Sequence, residues 1–87
     1  MRALDLSRPG FRRDLKLHAP IGSAAYAAVL GVLRELGAAG PRDLPGPEDV
    51  LVRLAANVMA RPVPGTSLVV AYVAGPDVLH AMAIVAR

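Results

Sequence analysis

Hydrophobic and polar positions alternate in two short stretches near the start of the chain. One is Ala3-Leu4-Asp5-Leu6 and the other is Asp14-Leu15-Lys16-Leu17-His18; a period of two marks a strand with one face buried. Between them, Ser7-Arg8-Pro9-Gly10 has turn chemistry, with proline presetting one dihedral and glycine supplying a positive φ. The pattern predicts two N-terminal strands joined as a hairpin, or a second strand preceded by a loose arm. Ala19-Pro20-Ile21-Gly22 closes the extended region, because proline cannot continue a hydrogen-bonded ladder.

The period then changes. Ser23 is the expected N-cap of a helix over 23–36, closed by Gly37. Ala24 to Leu33 leaves no polar face before Arg34 and Glu35, so this helix is expected to be buried on most sides. Gly31 in its middle weakens it relative to alanine, which suggests close approach by another backbone. After a Gly/Pro-rich loop, a second helix is expected over 47–61. Pro47 suits its first position and Glu48 and Asp49 suit the positive end of its dipole. Val50, Leu51, Leu54, Ala55, Val58 and Met59 form its apolar stripe, with Arg53 and Asn57 opposite and Pro62 as the stop. Leu68–Val73, bounded by Pro64-Gly65 and Gly75-Pro76-Asp77, reads as a buried strand. Val78–Val85 fits either a strand or a helix capped by Asp77, and the turn residues before it favour a hairpin over 67–86. The fold class is therefore α+β: one small domain with N-terminal strands in a basic segment over 1–18, two helices, and a C-terminal β-hairpin packed on them.

Size sharpens this picture. The chain has 87 residues, 54% of them hydrophobic and only 3% aromatic. A folded domain of 9.0 kDa buries only about 63% of its unfolded surface, so aliphatic side chains are in surplus. Alanine tempers the surplus, because a methyl group costs little to expose. The expectation is a homo-oligomer, preferably a dimer, joined through Leu68, Val70, Tyr72, Met82 and Ile84. The absence of cysteine excludes a disulfide scaffold, a thiolate metal site and a cysteine nucleophile. The apolar runs fall below the ~18 residues of a membrane helix. Met1–His18 has basic residues throughout and no apolar centre, so a secretory signal is not expected and a cytoplasmic location is.

The net charge of +3 is concentrated. Arg2, Arg8, Arg12, Arg13 and Lys16 outnumber Asp5 and Asp14 in the first 18 residues, and charges balance over the remainder. Arg8, Arg12, Arg13 and Lys16 are the candidate partner-binding residues, toward an acidic protein surface or a phosphate backbone. Candidate chemistry is sparse. His18 and His80 have no second ligand at metal spacing, and His80 in an apolar run reads as a structural residue bonded through one nitrogen. Ser23 is explained by capping. No catalytic residue, cofactor or metal site is expected.

One stretch carries a likeness. Ile21-Gly22-Ser23-Ala24-Ala25-Tyr26-Ala27-Ala28-Val29-Leu30 resembles the opening of the central helix in the double-glycine (bacteriocin-processing) cysteine peptidases. His80-Ala81-Met82-Ala83-Ile84-Val85 resembles the histidine strand of papain-like folds. Ile21 occupies the nucleophile position, and the chain contains no glutamine for an oxyanion hole. The resemblance thus implies a catalytically dead, peptide-binding relative. The residues themselves favour a non-enzymatic interaction or oligomerisation domain, with a regulator or inhibitor of a larger complex as one form of it. Nucleic-acid binding through the basic N-terminal segment is the alternative.

Overall fold

The computed structural model describes residues 1–53 and 57–87. Strand β1 (Ala3–Asp5) is followed by helices α1 (Pro9–His18) and α2 (Ala24–Ala38), then by strands β2 (Val50–Arg53), β3 (Val58–Pro62), β4 (Leu68–Ala74) and β5 (Val78–Ala86). The strands form one sheet in the order β1-β5-β4-β3-β2, antiparallel except for the parallel β1–β5 pair. The architecture is an α+β single domain, as the sequence pattern implies, with the C-terminal hairpin against the helices.

Helix α2 starts as expected: the Ser23 hydroxyl accepts a hydrogen bond from Tyr26 N at 3.0 Å. Val29, Val32, Leu33 and Leu36 face the core, and small or charged residues face outward. The close approach expected at Gly31 occurs instead at Gly37. A Cβ on Gly31 meets nothing, whereas one on Gly37 would lie 3.1 Å from Leu4 Cδ2, where β1 crosses the helix end. The 67–86 hairpin is present, and its last segment is strand β5.

Two expected elements differ. The second N-terminal strand is helix α1. Pro9, read as a turn residue, occupies the first helical turn, where its missing N–H costs nothing. Phe11 and Leu15, four residues apart, turn toward the core, while Leu17 points to solvent. Five residues of alternation were compatible with either period. The 47–61 helix is instead the β2–β3 pair. Its stripe merges two short β-branched runs, and Asn57, placed on the polar side of that helix, sits in the turn with φ 55°. Leu54 and Ala55 of that stripe lie outside the described residues.

Strand register sorts the side chains into two faces, because directly paired residues point the same way. Val70 pairs with Ile84, Tyr72 with Ala81 and Ala74 with Leu79. All face the helices and share one core with Phe11, Val29, Leu33 and Leu36. Val69 pairs with Val85, Ala71 with Ala83, Val73 with His80 and Ala60 with Ala71, and these point to the other side. Val58, Ala60 and Ala71 are buried yet stand outside the helix-side core. Helices α1 and α2 cover only one side of the sheet, so among the described residues the opposite face has no layer over it.

Candidate functional site

The bare face is nearly all aliphatic. From the β2 edge inward it presents Val50, then Val58 and Ala60, then Val69, Ala71 and Val73, then Ala83 and Val85. Val50 and Val85 are 62% and 50% exposed. At the β1 end the face becomes polar: His80 pairs with Val73 on one side and Asp5 on the other.

The residues expected to make a subunit interface are mostly on the wrong side of the sheet for that role. Leu68, Val70, Tyr72 and Ile84 are buried inside the chain's own core, and only Met82 is half-buried, at the β4–β5 register shift. Bulk explains the inversion: the larger alternate residues of β4 fill the space under the helices, leaving the valines and alanine between them outside. The two edges of the sheet also differ. At the β5 edge beyond β1, α1 lies alongside and Asp14 Oδ2 accepts from Ile84 N at 3.1 Å. At the other, β2 ends the sheet with Val50, Leu51 and Val52 exposed.

The cations of the basic segment are brought together by α1. Arg8 is its N-cap, and Arg12 and Lys16 follow at helical i+4 intervals, with Arg13 beside them. Arg12, Arg13 and Lys16 are exposed, and among the described residues none of the four is ion-paired. Arg2 does not join them. It is buried against the end of α2, its Nε donating to Gly75 O and its Nη1 to Ala39 O. An apolar groove of about 570 Å³ runs between β1, α1 and α2, with Leu15, Ile21 and Tyr26 among its walls.

Two carboxylates organise the remaining polar chemistry. Asp49, fully buried, accepts from Arg61 Nε at 2.7 Å, from Gly46 N at 2.7 Å and from the Tyr72 hydroxyl. Burial alone would raise its pKa, but the bonds from Arg61, Tyr72 and Gly46 outweigh it and hold Asp49 below the ordinary carboxylate range. Burial and the Asp49 charge together push the Tyr72 hydroxyl upward. Asp49, expected at the start of a helix, is instead the clamp that ties the 39–49 loop to β3 and β4.

Asp5 is the second. Its Oδ1 accepts from Ser7 N and Oγ, and its Oδ2 lies 2.8 Å from His80 Nδ1. The Ser7 hydroxyl, the His80 bond and the Ser7 amide hold its carboxyl well below the usual range. Serine, carboxylate and imidazole are close here, but the carboxylate stands between the other two. The serine has no bond to the imidazole, so this is not a nucleophile–base pair. His80 is tied through one nitrogen, and its face of the sheet is opposite the one that packs on α2. No protein-family model, curated protein or solved structure matches this chain.

Proposed function

We propose that this chain is a non-catalytic protein-interaction domain that self-associates through the bare face of its sheet. The observation that carries the reading is the aliphatic face turned away from the helix-side core: Val50 and Val85 at its ends are 62% and 50% exposed, and Val69, Val73 and Ala83 between them are half-buried. A contiguous apolar patch on a small domain marks an interaction site. Five strands about 4.8 Å apart and roughly 18 Å long give on the order of 450 Å² of flat face per copy. Two such faces approach the lower limit of specific interfaces, which suits association at micromolar concentration. A second copy also suits the charge pattern. Asp5 and His80 at the β1 end of the face compensate each other, and a face-to-face pair keeps the two basic α1 helices on its outer sides.

Light scattering coupled to size exclusion tests the reading. The expected mass at micromolar concentration is twice 9.0 kDa, and Val73→Asp returns it to that of one chain. A wild-type protein that stays at 9.0 kDa up to several hundred micromolar overturns the proposal.

A second reading rests on the cation row of α1. Arg8, Arg12 and Lys16 recur once per turn, about 6 Å apart, with no carboxylate partner among the described residues. Phosphate contacts by such a row make affinity fall steeply with salt. Retention of RNA or DNA at low salt that disappears in Arg12→Ala/Lys16→Ala supports it; no retention at low salt removes it.

A further inference from the structure

One nearly buried cation lies apart from the α1 cation row and from the aliphatic face of the sheet. Arg2 is only 9% exposed, and among the described residues no carboxylate lies within ion-pair distance of it. Its backbone N–H donates to Gly37 O at 2.9 Å, Nε to Gly75 O at 2.8 Å, and Nη1 to Ala39 O and Gly40 O at 3.1 and 3.4 Å. Those carbonyls and the C-terminal end of α2 offset part of the charge. A guanidinium has five N–H groups, and these bonds account for those on Nε and Nη1. The Nη2 pair has no acceptor among the described residues. Nη2 is nonetheless not sealed in, since no fully buried side-chain nitrogen there lacks a partner.

Beside Arg2 is a pocket of about 280 Å³. Pro41, Leu44, Met59 and Pro76 give it apolar walls, Asn57 adds an amide, Tyr72 also lines it, and among the described residues no acidic side chain does. Asn57 is also the one described non-glycine residue with positive φ, at 55°.

We infer that this pocket binds a small carboxylate, held by the Nη2 N–H groups of Arg2 with Asn57 at the same wall. One guanidinium supplies one positive charge, which matches a monoanion better than a phosphate ester. The cavity is at the small end of ligand sites, and its walls favour a short aliphatic tail beside the anion. Free carboxylic acids and the C-terminus of a polypeptide share this chemistry. The site lies on the helix side of the sheet and is independent of the self-association proposed above.

The test is an NMR titration of the full chain with three probes: propionate, the dipeptide acetyl-Val-Ala with a free carboxylate, and the same dipeptide as its carboxamide. Saturable shifts of the Arg2 Nε–H and the Gly75 and Asn57 amides are expected with at least one of the two acids and not with the carboxamide. Similar affinities for both acids assign a free small acid. Dipeptide binding about tenfold tighter or more assigns a chain terminus. Arg2→Gln removes binding, but Arg2 also joins the α2 end to the β4–β5 turn. Asn57→Asp is therefore the second variant: it tolerates the positive φ and sets a negative charge at the wall, weakening binding about tenfold or more. No saturable shift by about 10 mM probe, equal shifts with the carboxamide, or unchanged affinity in Asn57→Asp overturns the inference.

Discussion

The two faces of the sheet carry the same class of side chain in different sizes, with different consequences. Toward the helices point Leu68, Val70 and Tyr72 of β4 and Leu79 and Ile84 of β5, packed against Phe11 and α2. On the other side, Val69, Ala71 and Val73 alternate with them and meet Val85, Ala83 and His80. Burying a large side chain removes more apolar area and gains more dispersion contact than burying a valine or alanine. The bulkier set therefore decides which face the helices take. The smaller set makes a flat layer, suited to lie against another flat layer at the ~10 Å spacing of stacked sheets.

The largest expected effect comes from emptying the covered side. Phe11→Ala deletes a ring with no solvent exposure, and such truncations cost about 3–5 kcal/mol, read as a fall in the urea midpoint at constant slope. Val73→Ala, on the bare face, is expected to cost less than about 1 kcal/mol in the single chain, because little of its contact is with a covering layer. Comparable losses from the two substitutions would mean the faces are not as different as their neighbours imply.

Next is the polar clamp on the covered side. Asp49→Ala leaves Arg61 nearly buried with the more exposed carboxylates of Glu48, at 3.2 Å, and Glu35, at 3.9 Å, as its partners. Breaking a buried pair from one side costs about 3–5 kcal/mol, and these remaining partners place this case near 3. Its pH dependence has two limbs. Asp49 lies below its ordinary 3.8, so the stability it contributes is complete above that value and is lost as pH falls through the folded-state value. Tyr72 lies above its ordinary 10.0, so its contribution is complete below pH 10.0 and is lost as pH rises toward the folded-state value. In Tyr72→Phe the alkaline loss in urea midpoint is expected to shrink; an unchanged alkaline limb would separate Tyr72 from it.

How much of this was legible in the sequence depends on how long each pattern ran. The β4–β5 hairpin was legible because two apolar runs flank the Gly75-Pro76-Asp77 turn, and α2 because Ser23 and ten consecutive nonpolar positions leave no other period. Helix α1 was not, since Leu15 and Leu17 satisfy alternation while Phe11 and Leu15 satisfy the helical spacing; Pro9 at a helix start was the available signal. The 47–61 stripe failed for the same reason, with Asn57 as the overlooked turn residue. The bare face was within reach in kind but not in place. The surplus of aliphatics pointed to an apolar surface through Leu68, Val70, Tyr72, Met82 and Ile84, and four of these five are buried in the chain's own core. Arg2 was grouped with the basic segment by charge alone, because its partners are backbone carbonyls 35 or more positions away, which no local pattern records.

The smallest effect is expected at the rim of the bare face, where it contrasts most directly with the clamp. Asp5 and Asp49 are both held below the ordinary carboxylate range, but Asp49 is sealed under the sheet, whereas the Asp5 side chain keeps 28% exposure. Asp5 also lies below its ordinary value, so its contribution too is complete above pH 3.8 and fades as pH falls through the folded-state value. Water and salt screen it, however. Salt at about 1 M shortens the screening length to about 3 Å, which weakens exposed interactions and leaves buried pairs largely intact. Asp5→Asn should therefore change the acid limb of the urea midpoint slightly at low salt and almost not at all at 1 M NaCl, while the Asp49→Ala deficit persists at both. If the Asp5→Asn effect is large and salt-independent, then the His80 end of the bare face is shielded from water, as it would be with a second copy over it; repeating the measurement at a tenfold lower protein concentration separates shielding within one chain from shielding between two.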